Sequence, residues 1–158
     1  MIYFWKQTDK YGTFSQWYKS DFVDPDGINF NCAEQYMMYR KAKLFNDEKI
    51  AQQILNESNP KNIKALGRKI KNFNQEVWDE NKFDIVVRGN YYKFTQNSEL
   101  SQLLLSTWEE DIAEASPLDK IWGIGIDEKD ALSGKEWQGE NLLGEALMKV
   151  RRMIKMKV

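Results

Sequence analysis

From residue 33 onward, apolar residues recur at helical spacing in successive runs, and most runs open on a residue that caps helices. A 3.6-residue period buries one side of a helix and wets the other, so such a chain must pack helix on helix. Residues 33–45 form the first run. Asp47 can cap a second helix, with Ile50, Ala51, Ile54 and Leu55 on one face. Asn59-Pro60 closes that region and opens a third helix, whose stripe includes Ile63, Leu66 and Ile70. Residues 75–94 fit a long helix through Phe83, Val87, Asn90 and Phe94, although Val86-Val87 and Gly89 lower its propensity. Ser98 can cap a helix carrying Leu100, Leu103, Leu104 and Thr107, and Asn141 a last one carrying Leu143, Leu147, Val150 and Ile154. Basic residues between 149 and 157 suit the C-terminal end of that last helix. Residues 117–138 read as loop from their Gly, Asp and Pro content. Ahead of the helices, residues 2–5 are a short apolar run. Asp24-Pro25-Asp26-Gly27 is strong turn chemistry between Phe22-Val23 and the apolar residues 28–30, which can pair as a hairpin. No repeat, low-complexity tract or long linker divides the chain. The expectation is a mainly α fold: a single compact helical domain over residues 1–158 with a small N-terminal β hairpin.

The chain contains no histidine and one cysteine, Cys32. Ser-His and Cys-His nucleophile pairs, histidine general bases and the commonest metal ligand are therefore excluded. A structural zinc site lacks its ligands, and no clustered Asp motif announces a Mg²⁺ site. Neither a metal nor a cofactor is expected. Catalysis would have to use carboxylates, Lys, Tyr, Ser or Thr. Cys32 alone forms no intramolecular disulfide, which fits a reducing compartment. A net charge of −1 argues against a broad electrostatic footprint for duplex nucleic acid. No apolar run reaches the length of a membrane span, and residues 1–6 lack the basic leader of a signal peptide, so a cytoplasmic protein with no membrane contact is expected.

Charges interrupt the stripe of the first helix. At about 100° per residue, Met37, Met38, Leu44 and Phe45 share one arc, and Glu34 and Lys41 fall in its middle. An unpaired buried charge costs several kcal/mol, so an acid and an amine among core-facing side chains point to a site with shifted proton affinities. The alternative is that both ends reach water past an apolar rim, or pair elsewhere. A second stretch, Asp119-Lys120-Ile121-Trp122-Gly123-Ile124-Gly125, sets a carboxylate and a flat ring beside two glycines. It suits a substrate with an aromatic base and a sugar, or an ordinary turn capped by Asp119 with Trp122 in the core. In a third, Gly139 and Asn141 lie at a helix start, where free N–H groups favour an anion. Arg68 could hold phosphate or make a surface salt bridge. Trp78 could be core or ligand platform.

Taken together, these stretches resemble the NADAR, or YbiA-like, family. The matching residues are Phe14-Ser15, Ala33-Glu34-Gln35-Tyr36, Lys41-Ala42 with Phe45, Leu66-Gly67-Arg68 and Trp78. They continue through Lys93-Phe94, Leu103-Leu104 with Thr107, Glu114-Ala115-Ser116 with Asp119, and Trp122-Gly123-Ile124-Gly125. Trp137-Gln138-Gly139-Glu140-Asn141-Leu142-Leu143-Gly144 and Ala146-Leu147-Met148 with Arg151 complete the match. The resemblance covers nearly the whole chain in order. It implies a mostly helical fold and N-glycosidase chemistry at a ribosyl carbon. Two substrate classes are implied: ribosylamino-pyrimidine intermediates of riboflavin synthesis, and ADP-ribose attached to guanine, free or in nucleic acid. Position matching implies a catalytic acid at Glu34, a catalytic lysine at Lys41 and a substrate-binding carboxylate at Asp119, with Trp78 and Trp122 as pocket aromatics. One departure is Gln16, where many members carry Asn after Phe-Ser.

Cleaving an N-glycosidic bond builds positive charge on the sugar and negative charge on the departing nitrogen. Glu34 in an apolar surround should titrate upward and Lys41 downward, the latter becoming a nucleophile able to form a Schiff base with an opened ribose. Seven helical residues rise about 10.5 Å, so the two side chains would flank one substrate rather than meet. Glu34 or Asp119 would then shuttle protons. Substrate contacts are expected from Trp78, Trp122, Gly123, Gly125, Gly139, Asn141 and Arg68. The competing expectation is a non-catalytic module that binds ADP-ribose or an NAD derivative, which would not require the Glu34–Lys41 pair. A helical adaptor ranks third.

Overall fold

Capping residues fix most helix starts in the computed structural model, which describes residues 1–157. Among these residues there are seven α-helices and four short strands. They divide into two units, one of Lys19–Gln96, the other made of Met1–Tyr18 with the chain from Asn97 onward. No helix of the described residues is long and apolar enough to cross a membrane.

The Lys19–Gln96 unit begins with β2 (Phe22–Val23), which pairs antiparallel with β3 (Asn29–Phe30) across the Asp24-to-Gly27 turn, the hairpin expected there. The Asp24 carboxylate holds the turn by accepting from the Asp26 and Ile28 N–H groups. Four helices follow: α1 (Ala33–Leu44), α2 (Glu48–Leu55), α3 (Pro60–Gly67) and α4 (Gln75–Thr95). Asp47 caps α2 through the Ile50 N–H, Asn59 caps α3 through Lys61, and Asn74 caps α4 through Val77. Ile70 lies beyond α3 yet is buried.

The sequence pattern cast α1 as a helix with one apolar face. It is instead buried on all sides from Ala33 to Tyr39, because α2, α3 and α4 all pack around it. Tyr36 and Tyr39 take part in an edge-to-face cluster with Phe30, at centroid distances of 5.1 and 5.5 Å. Gly89 explains its own place in mid-helix: a Cβ there would sit 2.6 Å from the Tyr36 ring. Here close approach of α4 to α1 outweighs helix propensity.

In the other unit, β1 (Ile2–Phe4) lies parallel to β4 (Ile112–Glu114), with Ile2 opposite Ile112. Helices α5 (Ser98–Ser106), α6 (Glu128–Leu132) and α7 (Leu142–Met156) complete it. Two expectations are corrected here. Asn97, rather than Ser98, occupies the position before α5, and Ser98 is the first helical residue. The 117–138 stretch contains α6, a short exposed turn of helix capped by Asp127 through the Asp130 N–H. Helix α7 packs on β4 and α5, burying Leu143, Leu147, Val150 and Ile154 as its stripe requires. The Arg151 guanidinium, also buried, donates to the Thr107 hydroxyl at 2.8 Å.

Candidate active site

The first turn of α1 carries Glu34, and the last carries Lys41. Cys32 precedes the helix in extended backbone. Glu34 is buried, and its carboxylate sits where unpaired N–H groups and the helix dipole favour negative charge. Lys41 is half-buried. Its Nζ donates to the Gly67 carbonyl at 3.3 Å, and lies 4.8 Å from the Phe73 ring centroid and 5.4 Å from that of Trp78. The carbonyl is available because Gly67 ends α3, where the last C=O groups lose their helical partners.

Burial is the main cause that lowers the Lys41 proton affinity below the ordinary lysine range. The Glu34 charge opposes that shift and the Arg68 guanidinium adds to it. Lys41 therefore feels the charges of both Glu34 and Arg68. Arg68 caps the end of α3 and is exposed, with no acidic partner among the described residues. Trp78 is buried in the first turn of α4.

Two further side chains, to which the sequence pattern assigned no role, bear on this unit. Phe73 stands in the turn between α3 and α4, over the Lys41 amine. Lys93 of α4 is wholly buried, which pushes its amine down to about 7. Its charge is felt at Cys32, where burial pushes the thiol up to about 11. Lys93 had the same signal as Lys41, a charge inside the arc of Val86, Asn90 and Phe94. Phe73 had none, because its placement depends on a backbone conformation.

The remaining candidates lie in the other unit. Asp119 Oδ1 accepts from the Ile121 and Trp122 N–H groups at 2.9 and 2.8 Å, so this carboxylate holds the turn that presents Trp122. Trp122 is half-buried, and Gly125 stands at φ +75°. Segments 120–124 and 138–143 are laced by backbone bonds: Gln138 N–H to Ile124, Glu140 to Lys120, Asn141 to Gly123, Leu142 to Ile121 and Leu143 to Trp122. The N–H groups at the start of α7 are thereby bonded to carbonyls, which leaves those of residues 141–143 unavailable to an anion. Gly139 permits the lacing, since a Cβ there would collide with the Gly123 carbonyl oxygen. Asn141 was expected to cap α7 but makes no side-chain cap. At φ +56° its amide instead donates to the Ile112 carbonyl at 2.9 Å and accepts from the Glu114 N–H at 3.0 Å. Gly139 and Asn141 thus build the loop that carries Asp119, Trp122 and Gly123.

The model of the NADAR domain matches residues 3–155, running through both units. The chain is 46% identical to N-glycosidase R617 of Acanthamoeba polyphaga mimivirus over 144 residues, 87% of this chain and 85% of that protein. It is 44% identical to protein irg-1 of Caenorhabditis elegans over 128 residues, 78% of this chain and 60% of that protein. Among solved structures, the NMR structure of the Escherichia coli protein YbiA matches with a TM-score of 0.81 at 28% identity, covering 99% of this chain and 85% of that one.

Proposed function

The chain belongs to the NADAR domain family, and from that premise we propose that it is an N-glycosidase that hydrolyses the bond between a base and a ribosyl carbon. Its substrate would be either ADP-ribosyl-guanine or a ribosylamino-pyrimidine intermediate of riboflavin synthesis. The carrying observation is the Lys41 amine. It is half-buried, lowered in proton affinity, held at the Gly67 carbonyl beside two aromatic rings, and coupled to a buried carboxylate on its own helix. An adhesive surface has no use for an amine made easier to deprotonate; a nucleophile does.

In the proposed reaction the neutral Nζ attacks the anomeric carbon. The carbon–nitrogen bond to the base breaks, its electron pair leaves with the base nitrogen, and the Glu34 carboxylate relays to that nitrogen a proton given up by the attacking amine. The second proton of that amine passes to the ring oxygen as its bond to the anomeric carbon opens, leaving a Schiff base and a free hydroxyl. Water adds to that carbon and expels Lys41, so the sum is one water consumed, one free base and one free sugar released. Arg68 would take a phosphate of the substrate, and Trp78 would line its rings.

Product analysis by mass spectrometry tests this reading. The protein is incubated separately with ADP-ribosylated guanine DNA and with ribosylamino-pyrimidine phosphates, beside its Glu34→Ala form. Release of free base from one of them, lost in the variant, is expected and names the substrate class. Retained ADP-ribose binding with no turnover of either would replace the enzyme with a binding module.

A further inference from the structure

Phe73 is 41% exposed, yet its ring is not idle: it packs on Phe45 at 5.3 Å and faces the Lys41 Nζ at 4.8 Å. How it gets there is specific. The chain leaving α3 is pinned when Lys71 donates its N–H to Asp47 Oδ2, the same carboxylate whose Oδ1 caps α2. Asn72 then adopts φ +60°, the left-handed region that costs most non-glycine residues about 1–2 kcal/mol and that Asn tolerates best. Asn74 immediately starts α4. A pinned residue, a left-handed residue and a helix start bracket Phe73, and together they turn its ring onto the amine.

We propose that Phe73 is a positioning residue for Lys41, whose ring face, shared with Trp78, holds the ammonium against the Gly67 carbonyl and favours its charged form until substrate arrives. The physical basis is the attraction of a cation to the negative face of an aromatic ring, which opposes the effect of burial on the same group. The charged groups that bear on Lys41 are Glu34 from α1, which also favours the ammonium, and Arg68 from the end of α3, which disfavours it. Four flexible carbons carry the Lys41 amine, so a ring that confines it also limits the geometries it samples. This inference rests on reading Lys41 as the reacting amine.

The test measures Lys41 acetylation by acetic anhydride against pH, read by peptide mass spectrometry in the absence of substrate, alongside kcat. Phe73→Leu keeps apolar cover and removes the ring face. Its labelling midpoint should fall by about half a pH unit, the size expected of one partly exposed cation–ring contact. Its kcat should fall several-fold, with KM nearly unchanged, because loss of the confining ring outweighs the larger neutral fraction of the amine. Phe73→Tyr should restore both. A midpoint that stays put, or that rises because the ring served only as a water shield, overturns the proposal. The position is half-exposed, and an unchanged unfolding temperature identifies each variant as folded. Lys41→Ala separates the two claims: full turnover in that variant removes Lys41 as the nucleophile, whereas loss of turnover with no midpoint shift in Phe73→Leu removes only the role of Phe73.

Discussion

Lys93 shows what one residue can cost. Full burial strips its ammonium of water, and its amine titrates near 7 in the folded chain against 10.5 for an ordinary lysine. The unfolded chain therefore holds an extra proton between those values, so this residue makes stability rise with pH across that window. Below pH 7 the penalty is at full size, and it fades as pH approaches 10.5. Lys93→Met fills similar space without the charge and should abolish this slope. In urea unfolding, the free-energy gap between variant and natural protein should change in the natural protein's favour by about 2 kcal/mol between pH 7 and pH 9. A gap that is flat with pH would mean that the folded amine is not depressed. The neighbouring Cys32 and Tyr36, pushed up by burial to about 11 and about 12, are unionised in the folded chain over that range.

Among elements, the start of α7 does the work that the sequence pattern assigned to an anion. Asn141 is written into one sharp motif, but its job is to bridge β4 at both Ile112 and Glu114 from a left-handed backbone. Asn141→Ala removes two hydrogen bonds at a buried site and strains the backbone, and should destabilise by about 3 kcal/mol in chemical denaturation. Asn141→Gly relieves the strain alone and should cost about 1 kcal/mol less. Equal losses would show that the backbone conformation contributes nothing. Legibility follows the same line. Helices α2, α3 and α4 could be read because Asp47, Asn59-Pro60 and the apolar period are local signals. The β1–β4 pair could not, since Ile2 meets Ile112 across most of the chain. Helix α6 buries no residue, so it has no stripe to announce it. Among the candidate residues, Glu34 and Lys41 were legible as charges among apolar neighbours, and Asp119 as a turn former. Phe73 was not, because Asn72 gives no sign in sequence of its left-handed backbone.

For the molecule as a whole, the family match through residues 3–155 and the likeness to the solved YbiA structure make the chain a member of a family that includes N-glycosidases. The absence of histidine narrows how such a chain can do that chemistry to carboxylates, amines and hydroxyls. In the proposed reaction Lys41 becomes covalently attached to the sugar. The most direct measurement is the intact mass of the protein after turnover in the presence of borohydride, which reduces a Schiff base to a permanent amine. A mass gain equal to the reduced sugar moiety is expected, mapped to Lys41 by peptide sequencing and absent from Lys41→Ala. Turnover with no adduct, and full activity in Lys41→Ala, would contradict it and leave a water activated by Glu34 as the attacking group.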